Sequence, residues 1–346
     1  MKTKPSVLKL LFIKITHWEY WPMEIVYFPV TLYYFWLSLK ARSFFFFSAS
    51  NPSIETGGML GESKFGILQN IPMEVKAFTL FFTKEIYFPE VLKSMHQNGL
   101  TLPVIAKPDI GERGTQVEKI NNEQELQSYL QTNNCNFLIQ EYIDFEIELG
   151  VFYYRFPDQT TGTISSIVKK EFLQVTGDGE STLGELITRY PRAGFQFDRL
   201  SLKLNYTSIP QKGEKVLLEP IGNHCRGTTF LNANHLIDSK LTSVFDTISK
   251  QIPGFFYGRY DLRCKNMEDL KEGKNIKILE LNGAGSEPGH IYQPGYSIFR
   301  AWRALLFHWK ILYLISIQNH KKGIPYMRFS EAKVKYHEHQ LLKKRK

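Results

Sequence analysis

Residues 278–290 read ILELNGAGSEPGH, a short apolar run that carries a carboxylate and an amide before it breaks into glycines. Side chains two residues apart on a β-strand share a face, so Glu280 and Asn282 point together, away from the neighbouring leucines. A strand with this pattern presents two oxygen donors side by side at its last residues. An ordinary Asn-Gly hairpin turn is the alternative interpretation.

A second polar strand precedes it, GRYDLR at residues 258–263. On a strand Arg259, Asp261 and Arg263 share one face, and burying three charges there is costly unless a ligand or partner compensates them. Asp261 adds a third oxygen donor to the pair described above. Mg²⁺ prefers such donors and is usually held by one or two carboxylates plus substrate phosphates. A salt-bridged face is the alternative.

Residues 104–117, VIAKPDIGERGTQV, place Lys107 at the end of a predicted strand and follow it with a loop containing Gly111 and Gly114. Glycines let a backbone approach a phosphate closely, and successive N–H groups make an anion-binding nest. The stretch is neither a Walker A loop nor the dinucleotide fingerprint. A chance hairpin with two glycines beside a lysine is the alternative.

Two further stretches carry candidate ligand contacts. In FLIQEYIDFEIELGVF, residues 137–152, the strand end at Glu141, Tyr142 and Ile143 can offer backbone groups to an adenine, and Glu148 can hold ribose hydroxyls; a solvated acidic loop is the alternative. In SSIVKKEF, residues 165–172, two adjacent lysines face opposite sides of a strand. The sequence does not decide which one meets the ligand, and we favour Lys169 over Lys170.

Composition bounds the class of protein. The 346 residues are 43% hydrophobic and 14% aromatic, which indicates a globular protein. The net charge of +9 suits an anionic partner such as nucleotide phosphates, nucleic acid or an acidic membrane surface, although NHKKG at residues 319–323 and the terminal LLKKRK supply part of it. The three cysteines form no CxxC pair, which indicates a reducing compartment without a disulfide framework.

Three zones differ in composition and predict three parts of the chain: an aromatic segment at residues 1–64, a main domain at 65–295, and a helix with a basic tail at 296–346. In the first zone residues 25–39 carry no charge, but a membrane-spanning helix needs about 20 mostly apolar residues. A lobe packed on the main domain and a segment lying in a membrane interface both stay open, with a true span behind them.

The main domain alternates predicted strands and helices, which indicates an α+β or α/β fold. Strands are predicted at residues 102–107, 137–143, 148–156, 163–172, 256–264 and 276–282. Helices are predicted at residues 122–130, 182–190 and 240–252, the last with Asp238 or Ser239 as its N-cap. Residues 297–317 form a further helix, apolar nearly all round, which is either a packing helix or a basic membrane-surface helix.

In this order the stretches resemble the ATP-grasp superfamily, in particular its carboxylate–amine ligases around D-alanine–D-alanine ligase and the cyanophycin and glutathione synthetases. The resemblance covers residues 65–295 and includes VTGDGESTLGELI at residues 175–187. It implies an α+β fold, the ATP-grasp fold, in which two subdomains grip the nucleotide. It also implies a nucleotide site formed by Lys107, Gly111, Gly114, Glu141, Tyr142, Ile143, Glu148 and Lys169.

The same resemblance implies metal ligands at Asp261, Glu280 and Asn282, and catalytic roles for Arg263, Lys169 and Asn282. Arg263 is the candidate for stabilising an acyl phosphate, because its guanidinium fork matches phosphate oxygens. Backbone N–H groups of residues 283–289 could meet a developing oxyanion. His224, Arg226 and Gly227 either line the substrate side or form a structural turn.

The activity implied is ATP-dependent joining of a small-molecule carboxylate to an amine through an acyl phosphate, with one or two Mg²⁺ ions or Mn²⁺ in their place. An ATP-grasp kinase acting on a hydroxyl and a non-catalytic, membrane-docked ATP-grasp protein are the alternatives. We expect no nucleic-acid partner and a cytoplasmic location, with the inner face of the membrane left open. The aromatic segment replaces the α/β lobe usual in the superfamily, so the substrates and D-alanine in particular stay undetermined, as does the oligomeric state.

Overall fold

The computed structural model describes residues 5–111 and 114–344, so Glu112 and Arg113 of the predicted loop lie outside it. The helices are α1 (Val7–Thr16), α2 (Met23–Ala41), α3 (Lys64–Gln69), α4 (Phe88–Gln97), α5 (Glu123–Thr132), α6 (Leu183–Arg189), α7 (Pro191–Gly194), α8 (Phe197–Leu200), α9 (Ser239–Lys250), α10 (Met267–Lys271), α11 (Ile298–Lys321) and α12 (Phe329–Lys344). The strands are β1 (Thr79–Phe82), β2 (Val104–Pro108), β3 (Glu118–Ile120), β4 (Phe137–Glu141), β5 (Ile147–Tyr154), β6 (Thr163–Glu171), β7 (Gln174–Thr176), β8 (Lys215–Leu217), β9 (Thr229–Asn232), β10 (Tyr257–Cys264) and β11 (Ile276–Asn282).

Two antiparallel sheets face each other across the molecule. The smaller sheet has the strand order β1-β4-β2-β3, and the larger has the order β11-β10-β5-β6-β9. They meet where the side chains of Lys107 on β2 and Gln140 on β4 both donate to the carbonyl oxygen of Leu279 on β11, at 3.0 and 3.2 Å. This arrangement places the ends of the polar strands of both sheets around one space.

The strands predicted from the sequence are all present. The three longest strands are neighbours, because β5 pairs with β6 on one side and with β10 on the other, both antiparallel. Helix α9 begins after Asp238, whose carboxylate accepts from the backbone N–H of Leu241 at 2.8 Å, so Asp238 is its N-cap. Leu241, Phe245 and Ile248 on this helix are buried against the larger sheet, as their helical spacing predicts.

The aromatic segment packs on the main domain along one side. Leu37 of α2 and the buried ring of Phe46 lie in one apolar cluster with Leu312 and Ile315 of α11. The Trp302 indole N–H on α11 donates to the Val26 carbonyl of α2 at 2.8 Å. The packed lobe, one of the two interpretations left open above, therefore holds for the inward face of this segment.

A single buried asparagine joins the segment to the larger sheet. The Asn51 amide N–H₂ donates to the carbonyls of Gly57 and Tyr257, both at 2.9 Å, and its oxygen accepts from the N–H groups of Phe256 and Tyr257. Buried polar groups need partners of this kind, and Asn51 has four. The loop that follows it is consequently fixed against the start of β10.

Among the described residues, no helix has the length and apolar character needed to cross a membrane. Helix α2 has 19 residues and α11 has 24, but neither meets both conditions.

Candidate active site

A cavity of roughly 670 Å³ lies between the two sheets. Both sheets contribute to its wall, with Lys107 from the smaller sheet and Lys170, Asp261 and Glu280 from the larger one. The aromatic N-terminal segment closes one side through Trp21 and Met23. The candidate ligand groups therefore surround one shared space.

The three predicted oxygen donors are brought together on adjacent strands. In the antiparallel pairing of β10 with β11, Asp261 lies directly opposite Glu280, and Arg259 lies opposite Asn282. Directly opposed residues project to the same face of a sheet, and here that face is the cavity wall. The Asn282 amide lies 3.3 Å from Asp261 Oδ2. The face-sharing predicted from alternation is thus correct.

Two basic side chains hold the Asp261 carboxylate. The guanidinium of Arg259 donates to both oxygens at 3.1 and 3.0 Å, and Lys170 Nζ lies 3.3 Å from Oδ1. Burial by itself raises the pKa of a carboxyl group, but here the charges of Arg259 and then Lys170 outweigh it and hold the pKa of Asp261 below its usual value. The surroundings of Asp261 therefore favour the ionised form of its carboxyl group.

Lys170, and not Lys169, is the lysine of β6 that faces the cavity. Lys170 lies opposite Glu148 of β5, and the Lys170–Glu148 pair is 3.2 Å apart and buried. Lys169 lies opposite Leu149 and is exposed to solvent. Burial lowers the pKa of the Lys170 ammonium, but the neighbouring Asp261 and Glu148 carboxylates raise it overall. The preference for Lys169 was wrong, and its predicted contacts pass to Lys170.

Lys107 stands on the opposite wall as a buried cation. Its Nζ donates to Gln140 Oε1 and to the Leu279 carbonyl, both at 3.0 Å. Burial lowers the pKa of this ammonium to about 8, although Glu280 nearby opposes the effect. A lysine held in this way is a compact positive charge at the edge of the cavity.

Arg263 does not lie where its predicted role in stabilising an acyl phosphate requires it to be. Its Nε donates to Glu148 Oε2 at 2.9 Å and its Nη1 to the Ile143 carbonyl at 2.6 Å. Both contacts lie near the strand end that was predicted to meet an adenine. Arg263 is two residues from Asp261 along β10, in the direction away from Arg259, which pairs with Asn282. The arginine beside the oxygen donors is Arg259, which sequence reasoning did not single out. The structure thus places Arg259, and not Arg263, beside the oxygen donors.

The predicted hinge follows β4 and borders the cavity. The Glu141 carboxylate is engaged elsewhere, because it accepts from the Phe78 N–H at 2.8 Å and pairs with Lys277 at 3.0 Å. The ring of Tyr142 lies next to two cations, with Lys119 Nζ 3.8 Å from the ring centroid. Ile143 is buried and lines the cavity. The hinge thus offers an apolar side chain and an aromatic face together with its backbone.

Glu148, predicted to hold ribose hydroxyls, is buried in an ionic cluster. Its two oxygens pair with Lys170 and Arg263 respectively. A β-carbon added at Gly222 would lie only 2.0 Å from Glu148 Oε1, so the chain passes very close to this carboxylate. Glu148 borders the cavity and orients two of its basic side chains.

The glycine loop is held at its ends from different parts of the chain. Arg226 donates to the carbonyls of Gly114 and Val117, and Lys64 donates to the carbonyl of Gly111. Gly114 has a φ of 70°, a conformation that favours glycine. Residues 224–226 form a 3₁₀ turn that Gly227 ends, which agrees with the interpretation of this stretch as a structural turn. His224 also lines the cavity, so the interpretation that the stretch lines the substrate side stays open.

The glycines after Asn282 allow two backbones to meet. A β-carbon at Gly283 would lie 2.5 Å from the Gly57 carbonyl oxygen, and the N–H groups of Ala284 and Gly285 donate to the carbonyls of Gly57 and Gly58. The N–H groups of Ala284 and Gly285 are engaged by the N-terminal segment, so these two do not face the cavity as oxyanion donors, and the expectation for the rest of residues 283–289 stays a prediction. Gly283 is required for close packing.

The N-terminal segment supplies functional candidates that the sequence did not reveal. The buried Glu19 carboxylate pairs with Arg192 at 2.7 Å and lies 3.3 Å from His224 Nε2. Lys64 Nζ lies 3.5 Å from Glu280 Oε1. The only sequence signal was the presence of charged residues within or just after an aromatic stretch, which does not predict where they fold.

The donor set fits a hard divalent cation in combination with a phosphate ligand. Among the described residues no group of three or more His, Cys, Asp or Glu side chains could hold a metal on its own. Asp261, Glu280 and Asn282 present two carboxylates and an amide oxygen, which is the ligand chemistry of Mg²⁺ sites completed by substrate phosphates. Lys64, Lys107, Lys170 and Arg259 provide positive charge around the same space.

Two antiparallel sheets, with a lysine on each side and an Asp/Glu/Asn set between them, form the arrangement that the resemblance to the ATP-grasp superfamily implies. Residues 67–179, about a third of the chain, match the family model of the RimK-like ATP-grasp domain. The chain therefore carries an ATP-grasp domain, and the predicted fold and superfamily are confirmed. Among proteins with curated descriptions, none has significant similarity to the chain.

The chain also matches solved structures at low sequence identity, among them the following three. A bifunctional glutathione synthetase from Pasteurella multocida is 15% identical with a TM-score of 0.35, over 70% of this chain and 35% of that one. VanG D-Ala:D-Ser ligase from Enterococcus faecalis is 14% identical with a TM-score of 0.42, over 72% and 61%. D-alanine–D-alanine ligase from Bacillus anthracis, complexed with ATP, is 14% identical with a TM-score of 0.40, over 74% and 65%. The chain thus spans about a third to two thirds of these proteins.

Proposed function

We propose that the protein is an ATP-dependent carboxylate–amine ligase that works through an acyl phosphate and requires Mg²⁺. The observation that carries the proposal is the placement of Asp261, Glu280 and Asn282 on one cavity wall, with Lys170 beside them and Lys107 on the wall opposite. Phosphoryl transfer depends mainly on positioning and charge neutralisation, and this set of side chains supplies both.

The chain's own residues define the places of the reactants. The hinge at Tyr142 and Ile143 receives the base, and the phosphates extend toward Lys107 and Lys170. Asp261, Glu280 and Asn282 would hold the cation, whose positive charge would neutralise the phosphates of the nucleotide. Arg259 lies beside this group and is placed to stabilise charge on the transferred phosphoryl group.

The reaction has two steps. A carboxylate oxygen of the first substrate attacks the γ-phosphorus of ATP, and ADP leaves with the electrons of the broken P–O bond. The amine then attacks the acyl carbon, loses a proton, and displaces inorganic phosphate. The aromatic segment closes the cavity with Trp21 and Met23 and so excludes water from the reactive acyl phosphate.

A release assay on purified protein tests the proposal. The full chain is incubated with ATP, Mg²⁺ and a panel of carboxylates and amines, and ADP and phosphate are measured for wild type, Asp261→Asn and Glu280→Gln. We expect losses of about 10²-fold or more in both variants. Glu268→Gln, an exposed carboxylate just after β10, is the matched control.

Other outcomes separate the alternatives. Equal turnover in all four proteins rules out the metal assignment. A stable phosphorylated product formed without an amine shows a kinase. Nucleotide binding without turnover on any pair of substrates shows a non-catalytic protein.

A further inference from the structure

The N-terminal helices expose their apolar faces. Helix α1 has no buried residue, and five of its large apolar side chains are exposed: Val7, Leu8, Leu11, Phe12 and Ile15. Its inward contact is with the region of α7, where Leu10 and Pro5 pack near Gly194. A surface helix on a globular protein usually presents a polar outward face, whereas the outward face of α1 is apolar.

The outward face of helix α2 is also apolar, over five turns. Its exposed large apolar side chains are Ile25, Phe28, Leu32, Phe35, Trp36 and Leu39. At 3.6 residues per turn these positions fall within an arc of about 100°. Its buried positions, Val26, Val30, Leu37 and Ala41, lie on the opposite side and pack on the main domain. The exposed side chains form a continuous apolar stripe, and exposed apolar patches of this kind mark interaction sites.

Basic residues border these apolar faces. On α1, Lys9 and Lys14 are exposed at the two edges of the apolar arc. At the end of α2, Lys40 and Arg42 are exposed, and Lys40 Nζ lies 4.5 Å from the centroid of the Trp36 ring. Within residues 7–16 and 23–41, Glu24 is the only acid in the sequence. The border is therefore positively charged.

The neighbouring helix continues this chemistry. Helix α11 contacts α2 through Trp302 and exposes Phe299 and Phe307 together with Arg300, Arg303 and Lys310. These five exposed residues fall within an arc of about 100°. Exposed aromatic rings flanked by long basic side chains are typical of helices that lie in a membrane interface. The rings enter the apolar part of the bilayer, and the charged ends of the basic side chains reach the lipid headgroups.

We propose that the outward faces of α1 and α2 form a docking surface for a bilayer that contains anionic lipids. We call this surface, made of the exposed apolar residues of α1 and α2 named above, the apolar docking face. The helices lie in the plane of the interface, since the described residues include no helix able to span it. The positive border selects the anionic surface as the occupant. This proposal does not depend on the proposed function.

Vesicle flotation with the full chain tests the proposal. Vesicles of phosphatidylcholine alone are compared with vesicles of equal parts phosphatidylcholine and phosphatidylglycerol. We expect wild type to float mainly with the anionic vesicles and to be released by salt. The triple variant Leu8→Ser/Leu11→Ser/Phe12→Ser should lose at least about tenfold in vesicle affinity, because it removes inserting side chains.

A matched control uses exposed apolar side chains elsewhere. Leu202 is 85% exposed and Ile209 is 55% exposed, and neither belongs to the helices of the apolar docking face. The variant Leu202→Ser/Ile209→Ser should bind vesicles as wild type does. The charge variant Lys9→Glu/Lys14→Glu should lose affinity for anionic vesicles specifically. Unchanged far-UV circular dichroism and thermal midpoint establish that all variants fold.

A fluorescence measurement provides independent support. Trp36 is half-exposed on the apolar docking face, so brominated acyl chains should quench part of the tryptophan emission, and Trp36→Phe should remove that part. The proposal is overturned if wild type binds neither type of vesicle, or if the triple variant Leu8→Ser/Leu11→Ser/Phe12→Ser binds as well as wild type. It is also overturned if light scattering shows a dimer of wild type that the triple serine variant abolishes, because a second copy then covers the face.

Discussion

Lys170 Nζ lies 3.3 Å from Asp261 Oδ1, although a whole strand, β5, separates β6 from β10. The residue between them is Gly150, which pairs with Asp261 on one side and with Val168 on the other. Because Gly150 has no side chain, the lysine can reach across β5 to the carboxylate. The oxygen donors and the second lysine of the site therefore depend on one glycine.

Gly150→Ala should disturb this contact. The added β-carbon would lie 2.8 Å from Val168 Cγ1 and 3.1 Å from Asp261 Oδ1, so both must shift. We expect a loss of roughly 1–3 kcal/mol in the free energy of unfolding, measured with urea, and a fall in turnover. Gly66→Ala, in helix α3, meets only ordinary contacts and should be neutral or slightly stabilising. Equal stability of the two variants would contradict this account.

The two adjacent lysines of β6 provide a paired test. Lys170→Ala removes a buried cation from two carboxylates and should reduce ATP-dependent turnover by about 10²-fold. Lys169→Ala removes an exposed side chain and should change turnover less than about twofold. Both rates come from the ADP-release assay with the same substrates. A larger loss for Lys169→Ala would return the assignment to that residue.

Nucleotide affinity should depend on the charge of Lys107. Burial lowers its pKa to about 8, so the folded protein loses this proton as pH rises through that value. Affinity for a non-hydrolysable ATP analogue, measured by calorimetry, should fall over this range, and Lys107→Arg should flatten the fall because a guanidinium stays charged. The free energy of unfolding should change with pH in the opposite direction to the nucleotide affinity. The folded pKa lies below the unfolded one, so the free energy of unfolding should rise between about pH 8 and pH 10. A flat affinity profile in wild type would refute the phosphate contact.

Arg226 should act as a positioning residue for the glycine loop. It donates to the Gly114 and Val117 carbonyls, and Arg226→Gln removes these contacts without touching the oxygen donors. We expect KM for ATP to rise by about tenfold with a smaller change in kcat, since misplaced binding groups weaken the ATP complex. Arg189→Gln, which breaks only an exposed pair with Asp178, is the control. An equal effect on kcat and KM in both variants would argue against a positioning role.

Glu19 should stabilise the attachment of the N-terminal segment. Glu19→Gln leaves Arg192 buried without its ion-pair partner, and we expect a loss of about 3–5 kcal/mol in the free energy of unfolding. Glu24→Gln, which changes an exposed carboxylate, should cost less than about 0.5 kcal/mol. Urea unfolding at neutral pH measures both.

Acidification gives a second test of the same pair. Burial raises the pKa of Glu19, but the hydrogen bond with His224 and the charge of Arg192 bring it below its usual value of 4.5. The resulting stability is present above pH 4.5 and is lost as pH falls through the folded pKa. Wild type should therefore lose more stability on acidification than Glu19→Gln does. Parallel profiles would show that Glu19 does not carry this contribution.

The order of predicted strands and helices indicated an α+β or α/β fold, the resemblance added the ATP-grasp fold, and side-chain alternation predicted which oxygen donors share a face. The pairing of β10 with β11 shifts only beyond Asp261 and Glu280, so the pairs Asp261–Glu280 and Arg259–Asn282 keep the predicted parity. The choice between Lys169 and Lys170 needed the pairing of β6 with β5, where Lys170 lies opposite Glu148. One sequence does not specify which residues of two strands lie opposite each other, so that choice failed.

Contributions from the N-terminal segment could not be predicted for a different reason. Lys64 and Glu19 lie at the cavity in a segment that contacts distant parts of the chain: the Gly57–Gly58 backbone packs against Gly283, and Glu19 pairs with Arg192. No local pattern encodes such a contact. Arg259 was visible on the same face as Asp261, but its place next to Asn282 follows from the register of β10 with β11.

Helix α2 has one further consequence for how substrates reach the protein. Met23 borders the cavity on the side of the helix opposite its exposed apolar stripe. If the stripe rests on lipid, the thickness of a single helix, about 10–12 Å, separates the cavity from the headgroups. A reactant tethered to the bilayer would then arrive by diffusion in two dimensions, and its encounter rate would depend on surface density instead of bulk concentration.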